Sequence, residues 1–275
     1  MTQWSKNNHV SINLDVREGG KVETLWKGFY LDDLSELSTR LDDSFEEVSE
    51  LLYGESKHFG KTKVLLSPDA AGELLGAYAK IFNKDVQRRK GSKFLDKEGQ
   101  VVATNLLTIT DKPHQGPYKR STDDEWKQTR EQVLIEKGVF KTSLKNLQEE
   151  GSGSGYRTGL SPSTDVKAVH LDVEAGNTPL KDMQEGTIYI TQWEGLFAGT
   201  NPASGDFSLQ SKGFAFKDGK KTPLKSILVS GNFYDLLHSI EALSVERSLT
   251  SYEGVSLEVP AMLVEGLSVI GEQKE

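Results

Sequence analysis

The chain has 275 residues, 36% of them hydrophobic and 27% charged, with a formal net charge of -8 and a pI near 5.3. That length can bury roughly 70–75% of the unfolded chain's surface, and the composition excludes wholesale disorder. The acidic balance opposes a polyanionic partner, the lack of cysteine excludes disulfides and thiolate sites, and no apolar run reaches the roughly 18 residues of a membrane span. The start, Met1 to Lys6, has no secretory signal, so the expected location is the cytoplasm.

In chain order, Val10, Ile12, Leu14 and Val16 alternate with polar residues and predict a half-buried strand. Gly19-Gly20 marks a turn, and Val22 to Leu31 reads as the hairpin partner. Leu41, Phe45, Val48, Leu51 and Leu52 share one face at helical spacing. Lys57 to Lys63 is a polar link, which sets a small N-terminal piece over 1–60 apart from a main domain over 61–275. Val64-Leu65-Leu66 reads as a buried strand. Ser67-Pro68-Asp69 then has the chemistry of a helix start: a capping hydroxyl, a proline in the first turn, an acid at the positive end of the dipole. Leu74, Leu75, Tyr78, Ile81 and Phe82 form that helix's inner face.

The basic run Lys84, Arg88, Arg89, Lys90 and Lys93 lacks interleaved aromatics apart from Phe94 and reads as a solvated loop, with no nucleic acid expected. Strands then dominate: 101–110, 133–144 around the turn Glu136-Lys137-Gly138, 169–173, 187–192, 206–216 with a hairpin at Asp218-Gly219, 226–229 and 261–270. A late helix is expected from Phe233 to Leu243. With few strand–helix–strand alternations, the class is α+β with a large, mainly antiparallel sheet, a few packed helices and a small N-terminal α/β remnant. Gly151 to Gly155 reads as a flexible loop, because no Walker lysine or dinucleotide context accompanies it.

The residues alone present no catalytic constellation. None of the five histidines stands in an HExxH or HExxxH pattern, and no GxSxG elbow occurs. His238 is expected to pack or to cap its helix. His170, Asp172 and Glu174 alternate on one strand face, but the outer two stand roughly 13 Å apart, too far to share an ion. Asp123-Asp124-Glu125 could hold a cation or act as an acid–base pair, though an Asx-type surface turn is favoured. The glycine-rich run 194–206 leads into a strand and suits either peptide docking or an ordinary long hairpin loop.

Three segments together resemble the TldD/PmbA metallopeptidase family over roughly residue 60 to the end. They are VLLSPDAAGELL (64–75), GLFAGTNPASGDFS (195–208) and ILVSGNFYDLL (227–237). The resemblance implies a two-subunit peptidase that trims peptides such as ribosomal peptide precursors. Its TldD-like subunit carries HExxxH on the helix after residue 67, plus a distant cysteine ligand. Here the corresponding positions are Gly76, Ala77 and Ile81, which offer neither metal ligand nor general base. The pattern is similar to the zinc-free TldE/PmbA-type subunit. It implies no cofactor in this chain, zinc in a TldD-like partner, and a hetero-oligomer acting on a peptide. Gly199, Asn201, Gly205, Asp206, Phe207 and Ser208 are then the expected substrate or subunit contact. Family chains are much longer, and the strand, hairpin and helix at 8–52 resemble the tail of the N-terminal domain. A stand-alone peptide-binding or scaffold protein is the alternative.

Overall fold

The computed structural model describes residues 8–31, 33–157, 160 and 163–272, without the Asn8 side chain. β1 (Asn8–Glu18) and β2 (Lys21–Leu31) pair antiparallel through the Gly19-Gly20 turn and form a two-stranded sheet of their own. α1 (Leu37–Leu51) packs on this hairpin. Val48, Leu51 and Leu52 are buried, whereas Phe45 is 58% exposed and does not join the inner face expected for it.

β3 (Gly60–Leu66) leads into α2 (Pro68–Tyr78) as expected. Ser67 Oγ accepts from the Ala70 amide at 3.1 Å, and Pro68 occupies the first turn, where no amide partner is missed. The inner face of α2 runs on through one 3-10 turn, Ala79–Phe82, so Ile81 and Phe82 stay fully buried. α3 (Lys84–Lys90) follows and corrects the loop expected for the basic run. Gly91, left-handed at φ 69°, ends it.

Only Ile109–Asp111 (β4) of the strand expected over 101–110 is a strand. Val102 and Ala103 instead donate their amides to the Gly138 carbonyl, and Thr104 donates to Leu237, so the loop is satisfied without a ladder. β5 (Gln132–Glu136) and β6 (Val139–Phe140) form the expected hairpin. β7 (Gly155–Tyr156) and β8 (Asp165–Val166) make a small ribbon, and β9 (His170–Val173) and β10 (Ile188–Glu194) lie where strands are expected. After α4 (Leu196–Gly199), β11 (Asp206–Lys217) and β12 (Lys220–Asn232) pair through Asp218-Gly219.

The late helix, α5 (Phe233–His238), is shorter than expected, and His238 is exposed. From Ile240 the chain becomes β13 (Ile240–Tyr252), because Ile240 and Leu243 pair with Val264 and Met262 of β14 (Val255–Ile270). A ladder partner decides between two periods that a short apolar run leaves equal.

The main sheet has ten strands, β12-β11-β10-β3-β14-β9-β4-β5-β6 with β13 beside β14, mixed in class but mainly antiparallel. β14 is shared. Its first half lies between β13 and β9, and its last residues lie between β3 and β12. The second arrangement closes β12, β11, β10, β3 and β14 into a ring. The passage from one to the other falls at a register shift between Val264 and Leu267, where Gly266 takes φ +86°. α2 lies across β13 and β14, and its Ala70, Ala71, Leu74, Leu75 and Tyr78 belong to the main core. No helix among the described residues is long and apolar enough to cross a membrane.

Candidate functional site

Helix α2 brings the three degenerate motif positions to its C-terminal end. Gly76 faces β13 so closely that a Cβ there would lie 2.5 Å from Tyr252 Cβ, a distance that real side chains do not tolerate. Ala77 is buried and Ile81 is fully enclosed in the core. None of the three carries a donor atom for zinc, and the space a ligand at 76 would need is filled by Tyr252. These residues therefore do not fit a metal ion.

Beside that end of α2 opens a recess of about 980 Å³. Six segments build it: the end of α2, α3, the stretch Tyr118–Arg120, β7, β8 and the β13–β14 turn. Six cationic side chains line it, namely Lys80, Arg89, Lys90, Arg120, Arg157 and Lys167. Three carboxylates, Asp85, Asp165 and Glu253, face them. Lys80 pairs with Glu253 at 2.7 Å, and Arg89 pairs with Asp85 one helical turn away. Arg120 lies over the buried Tyr156 ring, 5.3 Å from its centre, and bonds Asp124 at 3.2 Å. Burial holds the half-buried Lys167 ammonium below the ordinary lysine range, and the nearby Arg120 and Lys80 add to the shift. Burial likewise raises the Tyr156 phenol.

The basic run singled out in the sequence is divided by this geometry. Arg89 and Lys90 enter the recess wall, whereas Lys84 pairs with Asp96 at 3.4 Å and Arg88 with Glu149 at 2.8 Å. Lys80, Arg120, Arg157 and Lys167 carried no sequence signal, because only the fold brings their separate segments together.

The expected contact segment is tied to the same end of α2 but does not line the recess. The Tyr78 hydroxyl donates to the Gly205 and Asp206 carbonyls at 3.0 and 2.8 Å. Asn201 Oδ1 accepts from the Ala203 amide at 3.1 Å, and the Asp206 carboxylate accepts from Asn232 Nδ2 at 2.8 Å. The Asn232 bond, and then the Ser204 hydroxyl, hold the exposed Asp206 carboxyl below the usual carboxylate range. Phe207 is buried edge-on against Trp193, their ring centres 6.4 Å apart. A Cβ on Gly199 would meet the Ser208 carbonyl at 2.6 Å, so Gly199 permits α4 to sit on β11. Asn201, Asp206 and Ser208 remain exposed, as does Phe197 next to them at 84%.

The acidic cluster is structural. Asp123 accepts from the Glu125 and Lys127 amides at 3.0 and 2.9 Å, and also from those of Gly153 and Gly155 at 2.9 and 3.2 Å. The glycine-rich stretch is thus pinned by an internal carboxylate, which corrects its reading as a flexible loop. His170, Asp172 and Glu258, rather than Glu174, come within 4.8 Å of one another. Asp172 already pairs with Lys112 at 3.0 Å and Arg247 at 3.1 Å, and Glu258 with Arg247 at 2.8 Å. Two carboxylates balanced by two cations leave no excess charge for a metal. His170 donates to or accepts from Ser256 through Nδ1 at 3.0 Å, and burial lowers its pKa to about 4, so its imidazole stays neutral.

Comparison with known proteins matches residues 59–271 to the family described as PmbA/TldA metallopeptidase C-terminal domain. A metalloprotease of Methanocaldococcus jannaschii is 27% identical over 206 residues, covering 70% of this chain and 45% of that protein. A metalloprotease PmbA homolog of Haemophilus influenzae is 25% identical, covering 66% and 40%. The chain thus spans less than half the length of these relatives. The crystal structure of TldE from Thermococcus kodakarensis superimposes with a TM-score of 0.85 at 22% identity, over 96% of this chain and 62% of that one, and shares the fold.

Proposed function

Because the chain belongs to the PmbA/TldD metallopeptidase family, we propose that it is the zinc-free subunit of a two-subunit peptidase, completing the peptide cleft of a partner that holds the metal. The observation that carries this reading is the packing of Tyr252 against Gly76, with Ala77 and Ile81 buried beside it. The helix that would bear ligands and base has become core. Water activation then falls to a TldD-like partner with HExxxH and its zinc, and this chain contributes shape and charge to the substrate cleft. The exposed Asn201, Asp206 and Ser208, with Phe207 anchoring the strand beneath them, are the proposed contact to partner or substrate. Ribosomal peptide precursors are the proposed substrate class and the cytoplasm the proposed location.

A stand-alone peptide-binding protein is the second reading. It is favoured by one observation, that a large recess with an excess of cationic side chains opens at the end of α2.

Co-expression with an HExxxH-bearing TldD-like chain tests the first reading. The two should co-elute on sizing chromatography, with zinc and peptide cleavage dependent on the partner. Separate elution at micromolar concentration, or stoichiometric zinc and cleavage by this chain alone, would sink it.

A further inference from the structure

The field inside the recess is opposite to that of the molecule. The chain carries a formal charge of -8, yet six cationic side chains meet three carboxylates in the recess wall. Lys80 and Arg89 are neutralised there by Glu253 and Asp85. Arg120 is held by Asp124 at 3.2 Å. The remaining excess comes from Lys90, Arg157 and Lys167, with Asp165 opposing it. Lys167 is half-buried among these like charges. An ammonium held so, near Arg120 and Lys80, gains from any anion that enters.

We propose that this recess binds the carboxylates of an acidic peptide segment, with Lys90, Arg157 and Lys167 as the receiving cations. At about 980 Å³ it lies at the upper end of the range for ligand clefts, too large to be matched by a lone inorganic anion. Three cations against one carboxylate leave an excess that suits about two carboxylates. A nucleic acid would bring one phosphate every few ångströms against a surface that repels polyanions. Tyr118, Tyr156 and Tyr252 add aromatic surface for the peptide's apolar atoms. The proposal rests on the reading above only in taking the ligand to be a peptide.

Calorimetric titration of the full chain with three hexapeptides tests it. One carries three glutamates and an amidated end; the second has glutamines and a free terminal carboxylate; the third has glutamines and an amidated end. The first is expected to bind at least about tenfold more tightly than the third, with a preference that weakens as salt is added. Tight binding of the second as well assigns part of the affinity to a terminal carboxylate. Lys90→Gln with Lys167→Gln should erase most of the preference, and Lys167→Arg should retain it. Lys90→Gln alone, on an exposed side chain, keeps the test decisive if the Lys167 change lowers the melting temperature. Equal affinity for all three peptides, or an unchanged preference in the double variant, overturns the proposal. So does a short single-stranded oligonucleotide that binds more tightly than the glutamate peptide. No catalytic subunit takes part, so failure to pair with one is seen separately in the co-elution experiment.

Discussion

The two ends of helix α2 have been put to opposite uses. At its N-terminal end a smaller recess, about 430 Å³, is lined by six carboxylates and four cations, and part of its charge ties the N-terminal elements to one another and to the sheet. Lys27 of β2 pairs with Glu47 of α1, Lys221 of β12 pairs with Glu50, and Ser248 bonds Asp69. At the C-terminal end the recess is more than twice as large, and its sign is reversed. Internal pairing of charge makes a seam; an excess of positive charge makes a place for an anionic ligand. The same helix is therefore a structural joint at one end and a candidate site at the other.

The strongest attempt to break this contrast is to restore the family motif. The triple change Gly76→His, Ala77→Glu and Ile81→His should cost about 5 kcal/mol or more, since it overpacks against Tyr252 and buries an imidazole in place of Ile81. Urea unfolding would measure this, and a variant that stays folded and binds zinc would break the claim that this end has become core. Next in size, Phe207→Ala should cost roughly 3–5 kcal/mol, because it empties the site against Trp193. Asp206→Ala, on an exposed carboxylate, should leave melting nearly unchanged while weakening partner affinity or the activity of the complex. If both variants keep full affinity for a partner, the segment is only a connection.

Between the two ends, Glu73 is pushed up to about 7 by burial and then by the neighbouring Asp69 charge, with Lys27 acting against both. The fold favours its neutral form, so its contribution to stability is present below about pH 4.5 and lost as pH rises through about 7. His170 has the other sign. Its pKa falls to about 4, so its contribution is present above 6.5 and lost as pH falls through 4. Glu73→Gln should therefore gain stability relative to the parent between pH 4.5 and about 7, by at most about 1.4 kcal/mol per pH unit. Parallel pH profiles for the two proteins would show that Glu73 ionises freely. The smallest effect is expected at the joint: Ser67→Ala removes the cap of α2 and should cost about 1 kcal/mol in thermal or urea unfolding, with no change in peptide binding at the far end.

Much of the fold was legible where a signal is local. Alternation gave β1, Gly19-Gly20 and Asp218-Gly219 gave two hairpins, and Ser67-Pro68 placed the start of α2. β13 was hidden because Phe233 to Leu243 has apolar residues at spacings that suit a helix, and only the distant β14 decides otherwise. Phe45 fitted the helical face by number, yet more than half of it stays exposed. The family resemblance pointed to Gly76, Ala77 and Ile81, but periodicity could not show that Tyr252 stands against them. The recess was the least legible of all. Its cations come from five segments between residues 80 and 167, and no spacing rule links Lys80 to Lys167.

The sharing of β14 has a consequence for synthesis. This strand pairs with β3, β9, β12 and β13, all of which precede it in the chain. Until residues 255–270 have left the ribosome, four strands wait with open ladder edges, and α2 lacks much of the surface it covers. The nascent chain must hold these edges apart from other chains for the whole time it takes to make the residues between β3 and β14. Closure of this sheet is thus gated by β14, which follows all four of its partners, and this protein should depend more heavily on ribosome-associated chaperones than one whose sheet grows hairpin by hairpin.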